Sequence, residues 1–323
     1  MTQSKAVHRE GVSFESEGTR CAAWLYRPDD STVTQTEHPP IVVMANGFGL
    51  PRRAGLPAIA ERFAERGLAV LVFDYRSLGD SDGEPRNVVL PFGQISDWQA
   101  AVRFARTIDD VDGERLGVWG FSLGAGGALF AAANENVDAY VGQTPIFDGG
   151  RTLFYIVRQM GPVYGLRTTM AGLRDLAHKY TRRAPYYIPI WGDYPDELPA
   201  LPTPGSEEGH EAVAGEDAHD EDVNRCAARA FLTFGLYRPI KKANDVECPT
   251  MIVEGANDQI APGSAIEKTA SRLNDVTWIA YDTDHFGAFF GELFEEVVER
   301  ESTFFERHLL KAESSEASRP QTH

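Results

Sequence analysis

The stretch that decides the fold is Leu116-Gly117-Val118-Trp119-Gly120-Phe121-Ser122-Leu123-Gly124-Ala125-Gly126-Gly127-Ala128-Leu129. Its apolar start, 116–119, reads as a strand, and the small residues over 126–133 read as a close-packed helix. Between them, Gly120-Phe121-Ser122-Leu123-Gly124 fits the pattern G-x-S-x-G. On a strand–turn–helix, that pattern makes a nucleophile elbow. The turn holds its serine in strained backbone geometry, and glycines two residues to either side relieve the crowding. It lifts the Ser122 hydroxyl off the sheet edge and sets the Leu123 N–H beside a helix N-terminus. A carbonyl bound there would meet a nucleophile and an oxyanion donor together. The bland alternative is a glycine-rich turn with an incidental serine.

Outward from this turn, short apolar β-branched runs alternate with amphipathic stretches, which predicts an α/β protein. Residues 12–14 and 21–26 read as an opening hairpin closed by Arg27-Pro28-Asp29-Asp30. Strands are expected at 41–45, 68–73, 116–119, 137–141, 249–254 and 276–281. Helices are expected at 57–66, 96–107, 126–133, 264–273 and 292–310. From 149 to 246 the rhythm gives way to long segments rich in Arg, Tyr and Pro. This predicts a core of two parts, 1–148 and 247–311, with a cap inserted over the sheet at 149–246 and a disordered tail at 312–323. Within the cap, 204–222 holds many Glu and Asp but neither Lys nor Arg. It reads as a solvated acidic loop.

The early strand runs into Asn46-Gly47-Phe48-Gly49, and a second polar turn runs Asp74-Tyr75-Arg76-Ser77-Leu78-Gly79-Asp80-Ser81-Asp82-Gly83. With the elbow, these stretches resemble the α/β-hydrolase superfamily across most of the chain outside the cap. The run Ser81-Asp82-Gly83-Glu84-Pro85-Arg86 and the texture of the cap are similar to dienelactone-hydrolase-like and X-Pro-peptidase-like esterases, and to fungal polyketide acyltransferases. The X-Pro peptidases carry an added C-terminal β-domain for which this chain is too short. The resemblance implies a mostly parallel central sheet flanked by helices and an inserted cap. It also implies a Ser–acid–His order of catalytic residues.

A serine nucleophile needs a general base and a group to orient it. Of eight histidines, His8 and His38 precede the core strands, and His323 lies in the tail. His178, His210 and His219 fall in the insertion, the last two in its acidic loop, and His308 reads as exposed on the last helix. Only His285, in Asp282-Thr283-Asp284-His285-Phe286-Gly287, follows a strand directly, where the resemblance places the base. Asp258, in the loop Glu254-Gly255-Ala256-Asn257-Asp258-Gln259, is the leading acid. Asp148, after the strand that follows the serine, is its rival, and Asp284 is a third choice. The resemblance carries the second oxyanion donor onto the Phe48 N–H, although Asn46 stands where many relatives have His. It also makes 74–83 a wall of the pocket, where the plain reading is a polar turn.

Composition narrows the function classes. The chain has 323 residues, 42% hydrophobic, with 31 basic against 48 acidic residues for a net charge of −17. Such a chain repels phosphate backbones, so nucleic acid is excluded as a partner. Only 6 of the basic residues are Lys, and acid excess with scarce Lys suits a salt-rich cytoplasm, where self-repulsion is screened. An ordinary acidic protein has the same look. No run approaches the roughly 18 apolar residues of a membrane span, and the polar start has no signal-like core. Cys21, Cys226 and Cys248 lack metal-ligand spacing and read as reduced thiols.

These readings predict a cytoplasmic, cofactor-free serine hydrolase of a small-molecule ester or thioester, with no metal, nucleic-acid or membrane partner. Acyl transfer and a haloperoxidase-like reaction use the same residues, and a non-catalytic binding protein on this scaffold is the rival class. Monomer and homodimer fit the sequence equally. In the insertion, Phe154, Tyr155, Tyr164, Tyr186, Tyr187, Trp191, Phe231 and Phe234 supply core packing and a candidate acyl pocket. Arg151, Arg158, Arg167, Arg182 and Arg183 read as offsetting acids rather than meeting an anionic substrate.

Overall fold

A computed structural model describes residues 7–29 and 38–310. The expected tail at 312–323, and Asp30 in the opening turn, lie outside the described residues. The chain opens on a hairpin of β1 (His8–Ser16) and β2 (Thr19–Arg27), paired antiparallel from His8 opposite Arg27 to Ser16 opposite Thr19. Glu17 and Gly18 turn it, both at positive φ (48° and 78°). That is the geometry whose twist matches two-residue hairpins.

Next come β3 (Pro40–Ala45), α1 (Leu56–Glu65), β4 (Ala69–Phe73), α2 (Pro91–Ala105), β5 (Asp112–Phe121), α3 (Leu123–Asn134) and β6 (Ala139–Gln143). Helix α2 starts five residues before the apolar pattern suggests, because Pro91 at its first turn needs no N–H partner there. After the insertion come β9 (Thr250–Gly255), α8 (Gly263–Ala270), β10 (Val276–Tyr281) and α9 (Gly291–Phe305), which runs into a short π-helix, Glu306–Leu310.

Eight strands form one sheet in the order β1-β2-β4-β3-β5-β6-β9-β10. The β1–β2 and β2–β4 pairs are antiparallel and the remaining pairs parallel. Strands β3, β4 and β6 are buried along their whole length, as expected of a parallel sheet covered on both faces. On β5, Trp119 donates from Nε1 to Glu301 of α9 at 3.0 Å. Helix α3 packs on the opposite face beside α2. All the parallel strands deliver their C-terminal loops to one edge, and the elbow, the 46–49 turn and the loops after β9 and β10 meet there.

The segment between β6 and β9 adds no strand to this sheet. It comprises α4 (Gly149–Met160), α5 (Pro162–Tyr180), a two-residue strand β7 (Tyr187–Ile188) pairing antiparallel with β8 (Cys226–Ala227), α6 (Ser206–Ala214) and α7 (Ala230–Phe234). Its internal brace is Asp175, fully buried on α5, which accepts from Arg229 N, Nε and Nη2 and from Tyr186 N at 2.6–3.0 Å. Burial opposes the charged form, but the Arg229 and backbone donors outweigh it and hold this carboxyl below its ordinary range.

The expectation of a solvated loop at 204–222 is corrected. Its first half forms α6, followed by a 3-10 turn over Gly215–His219. Ser206, His210, Val213 and Ala214 are buried on one side of α6, while its Glu residues face outward. A charge count sees the outer face and misses the apolar stripe beneath it.

Candidate active site

Ser122 sits between β5 and α3 with φ 55° and ψ −119°, a conformation L-residues adopt only when their surroundings enforce it. Its N–H donates to Gln143 O at 2.9 Å, and its carbonyl accepts from Ile146 N at 3.0 Å. The flanking glycines are required by space. A Cβ on Gly120 would lie 2.6 Å from Ala125 Cα, and one on Gly124 would lie 2.3 Å from Asn46 O. Both obstacles are backbone and cannot rotate away. The elbow and the 46–49 turn are therefore in contact.

The loop after β10 brings His285 to this serine. His285 Nε2 lies 2.9 Å from Ser122 Oγ, and Nδ1 lies 2.6 Å from Asp258 Oδ2. The other carboxylate oxygen of Asp258 accepts from Ile260 N and Ala261 N at 2.7 and 2.8 Å. These bonds fix the carboxylate's rotation, so the His285 ring is held from one side and offers Nε2 on the other. All three residues are buried. Phe121 and Phe286 pack against the imidazole at 5.1 and 5.0 Å between ring centres.

The two rival acids are engaged elsewhere. Asp148 caps α4 by accepting from Arg151 N at 3.2 Å and pairs with Arg238 at 2.8 Å. Asp284 accepts from Phe286 N and Gly287 N, shaping the turn that carries His285. Of the remaining histidines in the described part of the chain, His308 is half-buried against Phe304.

The 46–49 turn approaches the serine closely: a Cβ on Gly47 would lie 2.9 Å from Ser122 Cβ. Phe48 and Leu123 are both buried, and among the described residues neither N–H donates to a turn or loop carbonyl. Asn46 braces this turn. Its Nδ2 donates to Pro51 O (3.0 Å) and Ala54 O (2.8 Å), and its Oδ1 accepts from Gly47 N (3.0 Å). The 74–83 turn serves the same brace from behind. Arg52 pairs with Asp74 and with Asp80, and Arg52 N donates to Asp74 at 2.6 Å. It is absent from the wall of the cavity beside Phe48.

That cavity is narrow and apolar and is lined by Phe48 with Leu153 and Ile156 of α4, Leu201, and Phe231 and Phe234 of α7. Helix α4 also ties down the acid loop: Tyr155 Oη donates to Asp258 O at 3.3 Å and Gln159 Nε2 to Gln259 O at 3.0 Å. A roomier hollow in the insertion, walled by Glu197, Glu207, Glu211, Asp220, Glu221 and Trp191, includes none of Ser122, His285, Asp258, Phe48 or Leu123. Ser122, His285 and Asp258 converge at the elbow instead, which makes it the candidate site.

Several of these residues carry no sequence signal. His210 of α6 is stacked on Trp191 (5.0 Å, 11°) and meets Phe286 edge-on at 4.6 Å, which places it one ring away from His285. Burial pushes its pKa down to about 3 against a partly offsetting bond from its Nδ1 to Ser206 O. Asn46 stood out in the sequence only by its place where many relatives have His, and its bracing of the turn comes from the fold. Tyr155 and Gln159 emerge only when α4 is docked. No group of three or more His, Cys, Asp or Glu among the described residues could hold a metal ion.

Residues 17–276 match the model of the X-Pro dipeptidyl-peptidase (S15) family. The chain is 34% identical to the quorum-quenching protein AidA of Acinetobacter baumannii strain MDR-ZJ06, over 92% of this chain and 94% of that one. It is 28% identical to the polyketide transferase af380 of Aspergillus fumigatus, over 94% and 99%. The crystal structure of the α/β hydrolase GrgF from Penicillium sp. sh18 superposes with a TM-score of 0.75 at 22% identity, covering 94% of this chain and 99% of that one. At that identity the superposition speaks to fold alone.

Proposed function

Since the chain belongs to the X-Pro dipeptidyl-peptidase (S15) family of the α/β-hydrolase clan, we propose that it is a serine hydrolase of a carboxylic ester or thioester. The observation that carries this is the continuous chain of contacts from Asp258 through His285 to Ser122 Oγ at 2.6 and 2.9 Å. Ser122 Oγ attacks the acyl carbonyl and its proton passes to His285 Nε2. Asp258 keeps Nδ1 protonated and stabilises the imidazolium. The oxyanion is held by the N–H groups of Leu123 and Phe48. His285 then returns the proton to the departing alcohol or thiol, leaving an acyl-enzyme on Ser122. Water attacks this ester, again giving its proton to His285, and the carboxylic acid leaves. The apolar lining beside Phe48, from Leu153, Ile156, Phe231 and Phe234, favours an apolar acyl group over a charged one.

Transfer of the acyl group to an alcohol in place of water is the second reading. What favours it is the burial of Ser122, which limits water at the acyl-enzyme, and the likeness to a polyketide transferase. The deciding experiment is turnover of p-nitrophenyl esters of increasing acyl length, with and without an added alcohol, for wild type and Ser122→Ala. We expect hydrolysis that falls at least about 10³-fold in Ser122→Ala. Ester product with the alcohol present assigns transfer. Absence of turnover, together with no labelling of Ser122 by a fluorophosphonate, overturns both readings in favour of a binding protein.

A further inference from the structure

Helices α4 and α5, joined at Gly161, reverse the charge of the molecule. Residues 149–183 hold seven Arg or Lys and one acid, Asp175, in a chain whose net charge is −17. Asp175 is buried and engaged by Arg229. Of the cations, only Arg151 has a carboxylate within 4 Å among the described residues, at 3.8 Å from Asp148. Arg158, Arg167, Arg174, Lys179, Arg182 and Arg183 have none.

The same two helices expose apolar side chains. Val163, Leu166, Met170 and Leu173 of α5 are each more than half exposed, as are Phe154 of α4 and Tyr180 at the end of α5. Their spacing on α5 is three, four and three residues, which draws one continuous stripe along a helix. The buried residues Tyr164, Thr168, Ala171 and Asp175 lie on its other side. Arg167 and Arg174 flank the stripe one position after Leu166 and Leu173. Both guanidiniums lie over aromatic rings, Tyr194 and Tyr186, at 5.6 and 4.0 Å. Arg167 also donates to Pro195 O at 3.1 Å, but neither cation has a carboxylate partner among the described residues, and an outward apolar stripe bordered by such long cations is the pattern of a helix lying in a membrane interface.

We propose that α4 and α5 dock this protein, peripherally, on an anionic lipid bilayer. Two observations choose this occupant. A second copy set symmetrically against the face would bring the same six cations together, so self-association is electrostatically disfavoured. The apolar stripe also runs along one side of α5 with Arg167 and Arg174 beside it, an arrangement that suits a helix lying in a planar interface. The rest of the chain is acidic, and Asp196 and Glu197 adjoin the Pro195 carbonyl that accepts from Arg167 at 3.1 Å, so the docking is a balance of local attraction and screened repulsion and weakens as salt is added. The inner face of α4 lines the apolar cavity through Leu153 and Ile156. Docking would thus place the cavity beside lipid, a consequence that rests on the proposed function, whereas the docking itself does not.

The test is co-sedimentation of the full chain with vesicles of phosphatidylcholine alone, and of phosphatidylcholine with about one-third phosphatidylglycerol, at about 0.1 M salt. We expect binding to the anionic vesicles only. Arg158→Gln, Arg167→Gln and Arg174→Gln should each weaken it about fivefold, and Met170→Asp should abolish it. Hydrolysis of a soluble ester should be unchanged in all four, which also reports their folding. An inactive wild type that still sediments with vesicles would count against the hydrolase reading and leave docking standing. No binding to anionic vesicles overturns the proposal, as does equal binding by all variants. A dimer by light scattering that Met170→Asp dissociates overturns it as well, and assigns the face to a second copy.

Discussion

At the scale of single residues, the candidate site depends on backbone that only particular side chains allow. Ser122 stays at positive φ because Gly120 and Gly124 leave room for Ala125 and the Asn46 carbonyl. Gly124→Ala should therefore separate the elbow from the 46–49 turn. We expect it to lower the melting temperature by several degrees and to reduce ester turnover beyond the loss of stability. Thermal unfolding and kinetics on the same sample check both. Asp258→Asn is the complementary change. It keeps the loop's shape but lets His285 take the wrong tautomer, and we expect turnover to fall about 10⁴-fold with little change in KM.

At the scale of elements, α6 shows how a helix hides under its own charges. Its Glu residues face solvent, while His210 is clamped between Trp191 and Phe286 with its pKa lowered to about 3. The unfolded chain takes up a proton near pH 6.5, and the folded chain does so only near 3. The unfolded state therefore binds more protons between these values, and stability falls as pH drops from about 6.5 toward 3. His210→Phe retains the ring stack and removes the proton site. It should shift the acid midpoint of unfolding, followed by circular dichroism, to lower pH. An unmoved midpoint would mean that other groups set the acid limb.

At the scale of the whole molecule, two charge effects act on the core. Glu301 of α9 is fully buried behind the elbow strand, its Oε2 accepting from Trp119 Nε1, and burial raises its pKa to about 8. The folded state thus retains a proton that the unfolded chain gives up near 4.5. This contribution is intact below about pH 4.5 and is lost as pH rises toward 8. Glu301→Gln keeps an acceptor for Trp119 and cannot ionise. We expect it to flatten that slope, with a melting temperature on the order of 5 °C above wild type at pH 8. The net charge of −17 acts over a longer range. If self-repulsion governs, the melting temperature should climb steadily from dilute buffer to molar KCl. A flat response would mark an ordinary acidic protein.

The alternation of buried strands with amphipathic helices was written in local composition, and the parallel sheet follows from it because such strands must be covered on both faces. The elbow was legible for the same reason: the glycines that a strand-to-helix turn needs are local in the sequence. His285 and Asp258 could be named by their place after strands, but their contact is a property of the sheet. Strands β9 and β10 lie side by side and in parallel, so their C-terminal loops meet at the edge where β5 delivers Ser122. Nothing local could remove Asp148 as a rival, since its Arg238 partner is 90 positions away. The burial of His210, the brace around Asn46, the Arg229 clamp on Asp175 and the outward stripe of α5 were likewise decided by tertiary structure. A sequence states which side chains are apolar or charged, and packing alone decides which of them meet one another and which are left facing outward.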